Sequence, residues 1–274
     1  QSVEQRTENP CVGGSIPPRA TKIPKANLYR LAFLFLLLQA QDDSGRFSVL
    51  KAKTRQYQRS KIIPVNFKNV AILVSGRGSN LQAIINAYVR EQWHCKIVAV
   101  ISNRPDAAAL SIAQSVGLPT QVIDHTQCTD RRDFEFLLAK SLDMLEVDYV
   151  ILAGFMRILT DSFVNKFYGR LVNIHPSLLP SFPGLATHRA ALCAGVKVHG
   201  CTVHFVSAEV DRGPIIAQAT VPVLHNDTEE ALTARVLAQE HLLFPAVVKA
   251  LIENRVRLEQ GHVTVSGMPQ LVQS

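Results

Sequence analysis

From Val70 to Ile174 the chain alternates continuous apolar runs with stretches of helical period, a rhythm that few folds accommodate. VAILVS (70–75) is apolar until its last residue, as suits a strand buried on both faces. Behind it, Leu81, Ile84, Ile85 and Tyr88 recur at helical spacing. KIVAVIS (96–102) reads as a second strand, 106–116 as a helix stopped by Gly117, and 120–123 as a short strand. A helix over 130–145 puts Phe134, Leu137, Leu138 and Leu142 on one face. VDYVILA (147–153) is a strand, 161–167 a short helix and 171–174 another strand. The expected fold is α/β, an open, mostly parallel, Rossmann-like sheet with helices on both faces. Ligands then bind beyond the carboxyl ends of the strands.

After Pro183 the rhythm changes. Residues 198–207 and 214–223 are extended runs joined by AEVDRG (208–213), which predicts a late antiparallel strand pair. Residues 228–253 form one long C-terminal amphipathic helix, started by Asn226, Asp227 and Thr228, and 256–265 a short hairpin.

Charge divides the chain at the same place. Lys and Arg outnumber Asp and Glu by eleven to four in residues 1–66, whereas 67–274 carries eighteen of each. The body therefore has no basic footprint for nucleic acid. The run Leu31–Leu38 is far shorter than the roughly 20 residues of a membrane helix. Five cysteines at 11, 95, 128, 193 and 201, with no CxxC pair, fit a reducing, cytoplasmic compartment. Residues 1–66 lack strand–helix alternation and contain no Met. They read as a targeting segment, a docking extension, or translation upstream of a start at a GTG-encoded Val65, the last preferred. We take them as a non-conforming extension, disordered or not native coding, and 67–274 as the catalytic domain.

Three places carry candidate chemistry. GRGSN (76–80) joins a strand to a helix, so its glycines and the free N–H groups of the helix start suit a phosphate. It is not GxGxxG, and Ser102 and Asn103 stand where a dinucleotide site wants an acid. A single phosphate or an ordinary glycine turn are the open readings. In LVNIHPSLLP (171–180), Asn173 and His175 share a strand face. An amide donor beside an imidazole can stabilise an oxyanion and move a proton; a capping Asn and a structural His are the alternative. Asp211, in DRGP, is either turn chemistry or, if the late hairpin folds over the sheet edge, a partner for His175. His204 shares a strand face with Thr202, either as a satisfied core group or as support behind the site. His188 reads as a helix start, Cys201 as core, and Arg157 as an anion contact or a solvated loop charge.

Taken together, SGRGSNLQAI (75–84), LAGFMRIL (152–159), NIHPSLLPSFPG (173–184), HGCTVHFV (199–206), DRGPII (211–216) and QEHLLFP (239–245) resemble the phosphoribosylglycinamide formyltransferase family. The resemblance covers about 68 to 260 and leaves 1–66 without a counterpart. It implies formyl transfer from 10-formyltetrahydrofolate, as co-substrate, to the amine of 5′-phosphoribosylglycinamide in purine biosynthesis, without a metal. It implies Asn173, His175 and Asp211 as catalytic groups. Gly78, Ser79 and Asn80 would hold the substrate's phosphate and Glu240 its amine end. Arg131, Met156, Arg157, Ile158 and Leu159 would contact the folate, with Asn173 shared. Arg77 and Ala186 fall at positions expected to vary and receive no role. A monomer or homodimer is expected. The rival within the fold is formyltetrahydrofolate hydrolase, which carries an upstream regulatory domain and a second His where Pro176 stands.

Overall fold

The computed structural model describes residues 67–267. The readings offered for 1–66 concern residues outside the described part. Strand β1 (Lys68–Val74) leads through Gly76–Gly78 into helix α1 (Ser79–Glu91). There follow β2 (Cys95–Ser102), α2 (Ala108–Ser115), β3 (Thr120–Val122), a single 3-10 turn at His125–Gln127, and α3 (Arg131–Met144). Then come β4 (Tyr149–Leu152), α4 (Asp161–Lys166), β5 (Leu171–His175) and α5 (Thr187–Ala194). The last part is β6 (Val198–Phe205), β7 (Ile215–Pro222), α6 (Glu229–Ile252) and the hairpin β8 (Val256–Glu259) and β9 (His262–Val265).

The seven-stranded sheet has the order β3-β2-β1-β4-β5-β6-β7, with the first five strands parallel and β6 and β7 antiparallel. The expected α/β architecture is present, including the late strand pair and the long last helix. Strand β1 explains the layering. Val70, Ile72 and Val74 point into one core with α1, α2 and α6, while Ala71 and Leu73 point into the other with α3 and α4. Both sets are buried, so the strand has no polar face to give.

Local signals set the boundaries. Asp130 caps α3 by accepting from the N–H of Asp133, and Thr228 caps α6 by accepting from Ala231. These caps start each helix one residue later than the periodicity alone suggests. Pro245 lies inside α6, so the carbonyl of His241 lacks its usual intrahelical donor.

Gly200 in β6 is required for packing. A Cβ there would lie 1.9 Å from the carbonyl oxygen of Ala219 on β7 and 2.9 Å from Leu178. The first obstacle is backbone of the paired strand and cannot swing away. Gly200→Ala is expected to cost about 3 kcal/mol through overpacking, read as a lower urea midpoint. An unchanged midpoint would contradict this contact.

Candidate active site

Strand β4 ends at Leu152, opposite Asn173, and β5 runs two residues further to His175. Asn173 and His175 leave its last turns on the same side. Beyond β6 the chain turns back at Asp211, which takes a left-handed conformation (φ 55°) that Asp tolerates better than most residues. The turn brings Asp211 Oδ2 to 3.5 Å from Nδ1 of His175. The same oxygen accepts a 2.8 Å hydrogen bond from the N–H of Gly184, which ties the loop after β5 to the hairpin. The other imidazole nitrogen, Nε2, lies 3.1 Å from the carbonyl of Phe182. Both neighbours of the ring are acceptors, so a doubly protonated imidazolium has a partner for each N–H. His175 and Asp211 are both largely buried, where water screens their attraction little.

Asn173 is the third member, and its amide nitrogen lies 3.3 Å from Nε2 of His204. The loop between β5 and α5 is pinned from beneath by Thr202. Its hydroxyl donates to Ser177 O and accepts from Leu179 N–H and from the Gln218 amide.

A second group of expected residues gathers at the end of β1. Gly78 caps α1 in a left-handed conformation (φ 81°), and a Cβ on it would meet Ala109 at 2.7 Å. The loop is also held by Ala109 N–H donating to Gly76 O. Helix α1 has no acidic residue in its first turn and no side-chain cap, so its leading N–H groups at Ser79 and Asn80 suit an anion. The buried Asn80 donates 2.7 Å from Nδ2 to Oε2 of Glu240 on α6, while its own Oδ1 has no partner. Burial raises the Glu240 pKa, and the Asn80 bond opposes that rise. The partnerless Asn80 Oδ1, beside the Glu240 carboxyl group, suits donors such as hydroxyl or ammonium groups.

The expected folate contacts lie in the loop between β4 and α4 and at the start of α3. Met156 and Ile158 are exposed, a disposition that suits contact with an apolar ring. Arg157 lies over the Phe134 ring at 5.2 Å, and its Nε is buried without a partner. Arg131 opens α3. Leu159 departs from expectation: it is buried in the core with Phe155 and Phe163, and only its backbone is left for a ligand. The loop is anchored at both ends. Met156 N–H donates to Ser75 Oγ at 2.8 Å, and Thr160 donates to the buried Glu135 through its N–H at 2.7 Å and through its hydroxyl. Neither anchor has a signal in the sequence.

His199 is fully buried beside His188, with ring centroids 5.3 Å apart, and neither of its nitrogens makes a well-formed hydrogen bond. Burial lowers its pKa from the ordinary 6.5 to about 4; His188 adds to this, and the Pro176 carbonyl offsets a little. Burial also lowers His188 and His204. A neutral folded imidazole that the unfolded chain would protonate gives stability that is complete above pH 6.5. That stability is lost as pH falls from 6.5 toward 4, by up to about 1.4 kcal/mol per pH unit for His199. The urea midpoint is therefore expected to fall between pH 7.5 and 5, and less in His199→Gln. A midpoint independent of pH over that window would contradict this.

Comparisons with known proteins bear on what the site is. The sequence model of the formyl transferase family matches residues 68–248. Phosphoribosylglycinamide formyltransferase of Escherichia coli (strain K12) is 44% identical over 199 residues, covering 73% of this chain and 94% of that protein. The crystal structure of glycinamide ribonucleotide transformylase 1 from Symbiobacterium toebii is 44% identical, with a TM-score of 0.70 over 73% of this chain and 94% of that one. The trifunctional purine biosynthetic protein adenosine-3 of Bos taurus is 40% identical over 268 residues, 96% of this chain. This chain spans only 25% of that longer protein. The match takes in most of residues 1–66, which corrects the expectation that they have no counterpart. With the family model over residues 68–248 and two relatives at 44% identity each aligned over 94% of their length, the chain belongs to the phosphoribosylglycinamide formyltransferase family.

Proposed function

We propose that the cleft transfers a formyl group from 10-formyltetrahydrofolate to the amine of 5′-phosphoribosylglycinamide. The observation that carries this reading is the triple of Asn173, His175 and Asp211, with an imidazole that has a carboxylate 3.5 Å away and an amide donor on the same strand. The amine nitrogen attacks the formyl carbon and a C–N bond forms. The carbonyl oxygen takes the negative charge, which Asn173 and protonated His175 stabilise. Asp211 keeps the imidazolium paired and relays the proton from the amine. The bond from the formyl carbon to the folate nitrogen then breaks, and that nitrogen takes up a proton. The products are the formylated amide and tetrahydrofolate.

The binding roles follow the same layout. Gly78, Ser79 and Asn80 hold the phosphate at the start of α1, where peptide N–H groups and the helix dipole favour an anion. Glu240 was expected at the substrate's amine end. Its hydrogen bond to Asn80 puts the carboxylate beside the phosphate loop, which suits the sugar hydroxyls better. Arg131, Met156, Arg157, Ile158 and the backbone of Leu159 serve the folate. Among the described residues no helix is long and apolar enough to cross a membrane. We place the enzyme in the cytoplasm, as a monomer or homodimer acting on small molecules.

The test is product analysis by mass spectrometry. The full chain, 10-formyltetrahydrofolate and 5′-phosphoribosylglycinamide should yield the formylated ribonucleotide. Glycinamide lacking the phosphoribosyl group should react far more slowly. Equal reaction with both acceptors would count against the phosphate assignment.

A further inference from the structure

Strands β5 and β6 pair antiparallel so that Asn173 stands directly opposite His204, and His175 opposite Thr202. His204 is 2% exposed. Its Nδ1 lies 2.9 Å from the carbonyl of Phe205, which can only accept. A neutral imidazole carries one N–H, and this carbonyl claims it for Nδ1. Nε2 is left as a lone pair. The amide nitrogen of Asn173 lies 3.3 Å from that lone pair, so the amide must turn its NH2 group, not its oxygen, toward His204. Asp211 Oδ1 is 4.0 Å from the same nitrogen, too far for a hydrogen bond and so unable to claim a proton there. The second N–H of the Asn173 amide has no acceptor among the described residues.

We propose that His204 is a positioning residue for formyl transfer: held as its Nδ1–H tautomer by Phe205, it fixes the amide of Asn173 so that an N–H, not the carbonyl oxygen, meets the developing oxyanion. An Asn side chain by itself has two orientations of similar shape and opposite polarity at the reacting oxygen. With the oxygen forward, the site would repel the charge that it must stabilise. The bond to His204 removes that second orientation before substrate arrives, which is preorganisation of an oxyanion donor. The inference rests on the proposed catalytic role of Asn173.

Two measurements test it in the full chain. The first is a long-range 1H–15N spectrum of the histidine rings of the wild-type protein near pH 7.5, assigned by comparison with His204→Gln. The Nδ1–H tautomer is expected at His204. An Nε2–H tautomer or a doubly protonated ring would overturn the proposal whatever the activity. The second is steady-state kinetics. His204→Leu removes the acceptor and should lower kcat by roughly ten- to a hundredfold, with KM for both substrates within about twofold. His204→Gln offers an oxygen near the position of Nε2 and should recover most of that loss. In an Asn173→Ala background, His204→Leu should cause no further fall, because no amide remains to be oriented. The full loss repeated in that background, or an unchanged kcat in His204→Leu, would overturn the proposal. If Asn173→Ala itself kept its turnover, the role of Asn173 would fail, and the tautomer spectrum would still report on His204.

Discussion

His175→Ala is expected to lower kcat by about 10³- to 10⁴-fold while KM for both substrates changes little. The imidazole has two tasks in the proposed reaction: it stands beside the developing oxyanion as a cation, and it takes part in moving a proton. Neither task contributes much to holding the ground state, so the loss should fall on kcat. The ring's contacts with Asp211 and with the Phe182 carbonyl also hold the loop after β5. A circular dichroism spectrum and urea midpoint of the variant would separate that contribution from the chemistry. Near wild-type turnover in a folded His175→Ala protein would contradict the assignment.

Asp211→Asn is expected to cost nearly as much, about 10³-fold in kcat. The substitution keeps the shape of the side chain and can keep an acceptor for the Gly184 N–H, so the hairpin should stay in place. What it removes is the negative charge 3.5 Å from the imidazole, at a site where both groups are largely buried. The imidazolium then has no counter-charge, and an amide cannot relay a proton. Rates with both substrates saturating measure this directly. A loss confined to KM would mean that Asp211 serves binding instead.

The contrast between these two residues shows what the sequence could convey. Asn173 and His175 were readable as a pair because a strand has a period of two, so two positions apart means one face. Asp211 remained conditional, since a turn's sequence does not say whether it folds back over the sheet. That turn is decided by the β6–β7 pairing and by packing room: a Cβ on Gly213 would lie 1.7 Å from the Phe205 carbonyl. The parallel sheet was legible in runs such as VAILVS because strands covered on both faces need apolar residues throughout. Helix ends were less so: Asn226, Asp227 and Thr228 all stood as candidate starts of α6, and only the bond from Ala231 N–H to Thr228 singles one out.

Other features had no signal to read. The pairing of His204 with Asn173 depends on strand register, and a slip of one residue would turn His204 away. The Phe182 carbonyl and Gly184 N–H are backbone groups, which every residue carries. Leu159 was expected among the folate contacts because it belongs to a motif. Its burial follows from the turn into α4, where Thr160 is held by Glu135 and the chain packs on Phe163. The bond between Asn80 and Glu240 joins residues 160 positions apart, beyond the reach of any local pattern.

The measurement that tests the account most directly is the spectroscopic conversion of 10-formyltetrahydrofolate by the full chain, with and without 5′-phosphoribosylglycinamide. A transferase with this site needs the amine as its nucleophile, so conversion should appear only when the ribonucleotide is present, with one folate converted for each ribonucleotide formylated. Conversion with release of formate in its absence would mean that water takes the place of the amine, and that the cleft is a hydrolase.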